Sequence, residues 1–120
     1  MSQELTPLNA DEKKWGAVMH ISALLGLLLA PGLVLGPFIV WFLKKQDSEY
    51  LNLQGKKAIN FQLTILIAVF LLLMLSIIIR PIFAVAFMVG ITGIVFAIMA
   101  GVSTYKEGDF NYPFSFNILK

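Results

Sequence analysis

His20 is the single histidine of the chain, and no Asp, Glu, Lys or Arg stands between Trp15 and Leu43, so its imidazole lies in an apolar run. There it could carry a proton, ligate a metal or join two helices by a hydrogen bond. The first two need a second titratable or ligating group, and the apolar runs contain no Asp, Glu, Cys or further His. The expected chemistry is therefore a bridge. Asn60 and Gln62 lie at a comparable depth beyond Lys56 and Lys57. Two positions on a helix are about 200° apart, so these two cannot face one partner. Asn60 is the preferred one, because Lys57, Asn60 and Thr64 share a face at spacings of three and four. The expected polar cluster inside the membrane is His20, Asn60 and Gln62.

Other chemistry is poorly supplied. The seven acids are Glu4, Asp11, Glu12, Asp47, Glu49, Glu107 and Asp109, all flanking the apolar runs, and they read as solvated boundary charges. An enzyme needs a nucleophile with a base, paired carboxylates or a metal, and no such set is present. With no cysteine, thiol chemistry and disulfides are excluded. No glycine-rich turn leads into Lys and Ser or Thr, so no phosphate loop is expected. The lysines occur in scattered pairs and the net charge is +2, which argues against a nucleic-acid partner. The reading is no catalytic residue, no cofactor, no metal and no enzyme.

The elements that must position these side chains are membrane helices. Of 120 residues 58% are hydrophobic and 13% charged, with mean hydropathy +0.83. Soluble domains run near 45–50% and about 25%. Residues 15–43, 58–79 and 81–105 contain no charged side chain, and each is long enough to cross a hydrocarbon core of about 30 Å. The first run contains Pro31-Gly32 and Gly36-Pro37, which are unsuited to a helix interior. It reads as a hairpin with its turn at Pro31, Gly32, Gly36 and Pro37, over residues 30–36. A single crossing would divide the nine Lys and Arg residues three against six, whereas a hairpin places eight on one side and Arg80 alone on the other. Basic residues gather on the cytoplasmic side, so the hairpin is preferred and both termini are expected there. A re-entrant hairpin and four full crossings give the same sidedness. A secretory signal is not expected, since Asp11 and Glu12 offset Lys13 and Lys14 and no A-x-A-like site follows Leu29.

The resulting expectation is an all-α integral membrane protein, a bundle of about four helices whose first two form a short Pro/Gly-turned hairpin. A cytoplasmic tail covers 1–10, the bundle 11–106 with helices at 11–29, 37–45, 49–79 and 81–106, and an aromatic interfacial tail 107–120. On the last helix Ala86, Gly90, Gly93, Ala97 and Gly101 recur at spacings of four, three, four and four, a small-residue seam that permits close backbone packing.

Trp15, the run from His20 through Ser22 to Gly26, Gly36-Pro37, Trp41 with Lys44-Lys45, the run from Gln54 through Lys57 and Asn60 to Gln62, and Tyr112-Pro113-Phe114-Ser115 follow in that order. In these motifs, over about residues 13–118, the chain resembles the bacterial and archaeal family of small membrane proteins of unknown function grouped with the Tic-twenty-like import component of the chloroplast inner envelope. Gln54 departs from that pattern, which carries His before Gly-Lys, so a two-histidine role is not implied. The resemblance implies a bundle of about four membrane helices and no established activity.

Two functions follow. The first is a non-enzymatic multi-pass scaffold or accessory subunit in a cytoplasmic or inner membrane, docking other membrane proteins through the seam and the tail. The alternative is a homo-oligomeric pore or translocation component. The partners are the lipid bilayer and either other membrane proteins or further copies of the chain. Sidedness is testable in this cysteine-free chain: of single cysteines at Ser2, Ser48, Arg80 and Ser115, only that at Arg80 is expected to react with an impermeant thiol reagent in intact cells. Labelling at Ser48 with silence at Arg80 would overturn the hairpin.

Overall fold

A computed structural model describes residues 9–29 and 31–120, so Ala30 of the expected turn and most of the 1–10 tail lie outside the described residues. Among the described residues the chain is all helical, with no strand. Helix α1 (Ala10–Ile21) starts where the Asn9 side chain accepts the Glu12 amide at 2.9 Å. It continues as a 3-10 segment, Ser22–Leu27. Helices α2 (Gly32–Lys44), α3 (Glu49–Ser76) and α4 (Ile82–Glu107) follow. Ser48 caps α3 by accepting the Leu51 amide at 3.1 Å. Gly108, at φ 93, closes α4 in the left-handed region open to glycine.

The expected hairpin forms with different boundaries. Its first arm leaves the α-helix at Ser22 rather than running to Leu29, and its second begins at Gly32, so Gly36 and Pro37 lie inside α2 and not in the turn. The reason is packing. A Cβ at Gly32 would collide with the Leu25 backbone, and one at Gly36 with the Ser22 carbonyl. The two glycines, one helical turn apart, let α2 lie directly on the 3-10 segment. Pro37 removes one helical hydrogen bond, yet it is buried and the helix runs through it.

Length separates the helices into two classes. At 1.5 Å per residue α3 and α4 reach about 42 and 39 Å, enough to cross a bilayer, while α1 and α2 reach only about 18 and 20 Å. Among the described residues two helices are long and apolar enough to span. Of the two arrangements left open, these lengths favour two long helices with a re-entrant hairpin over four full crossings.

In the bundle α1 packs chiefly on α4, α2 on the 3-10 segment and α3, and α3 on α4. One core cluster joins Ala23, Leu33, Phe61, Ile65 and Ala97; a second joins Met19, Tyr50 and Leu51. The seam is turned inward and meets two helices. A Cβ at Gly93 would stand 2.9 Å from Gln62 Oε1 and 3.0 Å from Ile65, whereas Gly101 abuts Ile21 and Ala17. Ala86 and Ala97 are buried. Gly90 is looser, with only Val69 at 3.9 Å from a built Cβ.

Glycine therefore has opposite meanings at two positions. Gly36→Ala is expected to destabilise by about 1–3 kcal/mol, because the new methyl meets backbone, and Gly90→Ala to stabilise by up to about 1 kcal/mol through helix propensity. Thermal unfolding in detergent checks both. An unchanged midpoint for Gly36→Ala would remove the close approach as the reason for the hairpin geometry.

Candidate functional site

Three segments converge on His20. From α1 the imidazole projects into the bundle and is fully buried. From α3 comes Gln54, whose Oε1 lies 2.8 Å from His20 Nε2, and from the tail after α4 comes Tyr112, whose hydroxyl lies 2.6 Å from Nδ1. Gln54 Nε2 donates onward to Asp109 Oδ1 at 2.8 Å, and Lys57 Nζ donates to the same oxygen at 2.6 Å.

The donors and acceptors assign one another. A carboxylate only accepts, so the Gln54 amide nitrogen must face Asp109 and its oxygen must face His20. That oxygen only accepts, so His20 carries its proton on Nε2. Nδ1 is then the acceptor of the Tyr112 O–H, and burial pushes the Tyr112 pKa up, which keeps that proton in place. Every bond runs in one direction, from Tyr112 through His20 and Gln54 to Asp109. Because an amide with no titratable proton interrupts it, the chain anchors segments rather than conducting protons.

The tail is held against α3 and the end of α4 by further contacts. Tyr50 donates to the Gly108 carbonyl at 2.6 Å and Ser103 to the Asp109 carbonyl at 2.8 Å. The Tyr112 ring stacks on Phe61 with centroids 4.2 Å apart. Asn60 treats the tail as a strand would: its Oδ1 accepts the Leu119 amide at 2.7 Å and its Nδ2 donates to the Leu119 carbonyl at 3.0 Å. Thr64 accepts the Phe116 amide at 2.9 Å.

The three residues of the expected cluster therefore have separate partners. His20 pairs with Gln54 and Tyr112, Asn60 with Leu119, and Gln62 donates to the Gly93 carbonyl of α4 at 3.0 Å. His20 and Asn60 do not bridge, because Gln54 stands nearer the start of α3 at the level of His20, while Asn60 is occupied by the tail. Sequence reasoning missed Gln54, Asp109 and Tyr112. Gln54, Lys57 and Phe61 share a helical face at spacings of three and four, which was a usable signal for the α3 side. For the tail no local pattern exists, since an extended segment declares its partners only in three dimensions.

Residues 11–119 match the model of the magnetosome magnetite crystal formation protein family, MamF/MmsF. The chain belongs to that family. The match takes in all four helices and the clasped tail. It overturns the resemblance to the Tic-twenty-like family: the His20-to-Gly26 and Gln54-to-Gln62 motifs are the residues that close this bundle on its tail, and packing motifs of that kind do not specify a function. No curated protein and no solved structure matches the chain.

In this family member the charged end of the clasp holds a carboxyl with a depressed pKa. Burial alone would raise the Asp109 pKa, but the hydrogen bonds from Lys57 and Gln54 and the Lys57 charge outweigh it and hold the carboxyl below its usual value. A depressed folded pKa contributes stability that is fully present above the unfolded value, about 3.9, and is lost as pH falls through the folded one. Asp109→Asn is expected to lower the unfolding midpoint at neutral pH and to flatten its decline at acid pH. Identical acid profiles for the two proteins would place that dependence elsewhere.

Proposed function

We propose that this chain is a non-enzymatic scaffold of the magnetosome membrane that takes part in magnetite crystal formation. The family match over residues 11–119 carries the reading. The surface supports the membrane part. Phe70, Leu71, Met74, Phe83, Phe87 and Met88 are all exposed on α3 and α4, and contiguous apolar surface of that extent marks contact with lipid or other helices. In this arrangement α3 and α4 cross the bilayer, and the α1–α2 hairpin enters and returns from the side that carries the lysines.

Acting on the mineral by chelating iron would require converging carboxylates. The described acids all lie at the lysine-bearing end: Asp11 and Glu12 on the first turn of α1, Asp47 between α2 and α3, Glu49 at the start of α3, Glu107 at the end of α4 and Asp109 just after it. The opposite end presents Arg80 and apolar side chains. In this reading the chain acts on crystal formation through the membrane and the proteins it assembles. The pore reading rested on the overturned resemblance and is dropped.

Deletion of the chain in its source cell is expected to change the size or shape of magnetite crystals seen by electron microscopy, with restoration by the wild-type chain and by His20→Gln. The protein is expected in the alkali-resistant membrane pellet of isolated magnetosomes. Unaltered crystals on deletion would overturn the role, and extraction by alkaline carbonate would overturn the membrane placement.

A further inference from the structure

On the outer side of the α1–α4 contact lies an open groove of about 560 Å³, within the span of about 300–1,000 Å³ usual for small-molecule sites. Its walls are apolar, formed by Ala17, Val18 and Ile21 of α1 and Gly101 and Val102 of α4. Lys14 from α1, and Tyr105 and Lys106 from α4, stand at one mouth, because the antiparallel helices bring their charged ends together. From Lys14 to Ser22 the groove follows α1 for about 12 Å.

The charged side chains lining the groove itself are Lys14 and Lys106, while Asp11 stands beside the mouth and Glu107 follows Lys106 on α4. Lys14 is exposed and loosely paired with exposed Asp11 at 3.6 Å, a contact of little energetic weight. Lys106 makes no ion pair among the described residues. Lys13 lies beside this mouth.

From this geometry we infer that the groove is a binding site for an anionic phospholipid, one acyl chain lying against the α1–α4 walls and the phosphate between Lys14 and Lys106, with the Tyr105 hydroxyl within its reach. The inference rests on the membrane placement argued above. An apolar trough opening on two ammonium groups matches a ligand with a long apolar body and one negative head. A zwitterionic lipid brings its own cation to the lysines and is disfavoured. Each lysine near the membrane surface is worth roughly a fivefold preference for an anionic headgroup.

The test uses the purified full chain in mild detergent with equimolar phosphatidylglycerol and phosphatidylcholine, read by intact-complex mass measurement. The wild-type chain is expected to retain phosphatidylglycerol preferentially. Lys14→Gln with Lys106→Gln should abolish the preference. Val102→Trp should also abolish it by filling the groove while both charges remain, and Val102 is exposed enough to accept the larger ring. The charge-matched control, Lys45→Gln with Lys56→Gln on the α2–α3 side, should leave it intact. Equal retention of the two lipids by the wild-type chain, or a preference that survives Val102→Trp, would overturn the site. Displacement by inorganic phosphate would overturn the acyl-chain half. Failure of the chain to enter vesicles of either lipid would instead overturn the membrane placement.

Discussion

A buried polar side chain has to find its partner inside the protein, and His20 and Gln54 are buried completely. An unsatisfied donor or acceptor in such a place costs about 1–3 kcal/mol, a large fraction of the stability of a small domain. The rest of the arrangement follows from meeting this demand. α3 must present Gln54 to α1, the chain after α4 must turn back to deliver Asp109 and Tyr112, and Gly108 makes that turn in a conformation that other residues rarely adopt. The tail thereby becomes part of the bundle.

Close backbone approach is the second organising device. Gly32 and Gly36 bring α2 against the 3-10 segment, and Gly93 and Gly101 bring α4 against α3 and α1. With apolar side chains facing outward as well as inward, apolar burial alone does little to choose one helix pairing over another. Positions without a side chain supply shape instead, allowing contacts at distances that bulkier residues forbid. The same positions explain why a hairpin rich in glycine and proline keeps helical arms: its glycines serve packing more than turning.

Membership in a family of magnetite crystal formation proteins gives these features a setting without giving them a reaction. The polar groups at the centre are bonded to one another and to the tail, and the amide of Gln54 interrupts any proton path between His20 and Asp109. What the molecule presents outward is apolar helix surface along α3 and α4 and a lysine-rich rim at one end. Such a surface is suited by length and composition to cross a membrane.

Composition and the spacing of charge were sufficient to read the helical class, the two long helices and the return of the chain at Pro31-Gly32, because each depends on local propensity or on the gross separation of apolar from charged residues. The same reading took Gly36-Pro37 for a turn, since local rules weigh a proline against the helix and cannot see the Ser22 carbonyl that makes glycine necessary beside it. It likewise paired His20 with Asn60 by depth and by the face that Asn60 shares with Lys57 and Thr64. Only the tertiary structure chose Gln54 and Tyr112, and made Asp109, a boundary charge to the eye, the end of the clasp. The physical reason is range. A helix is specified by neighbours three and four residues apart, while the bond from Tyr112 to His20 joins residues 92 positions apart, and no local pattern carries information over that distance.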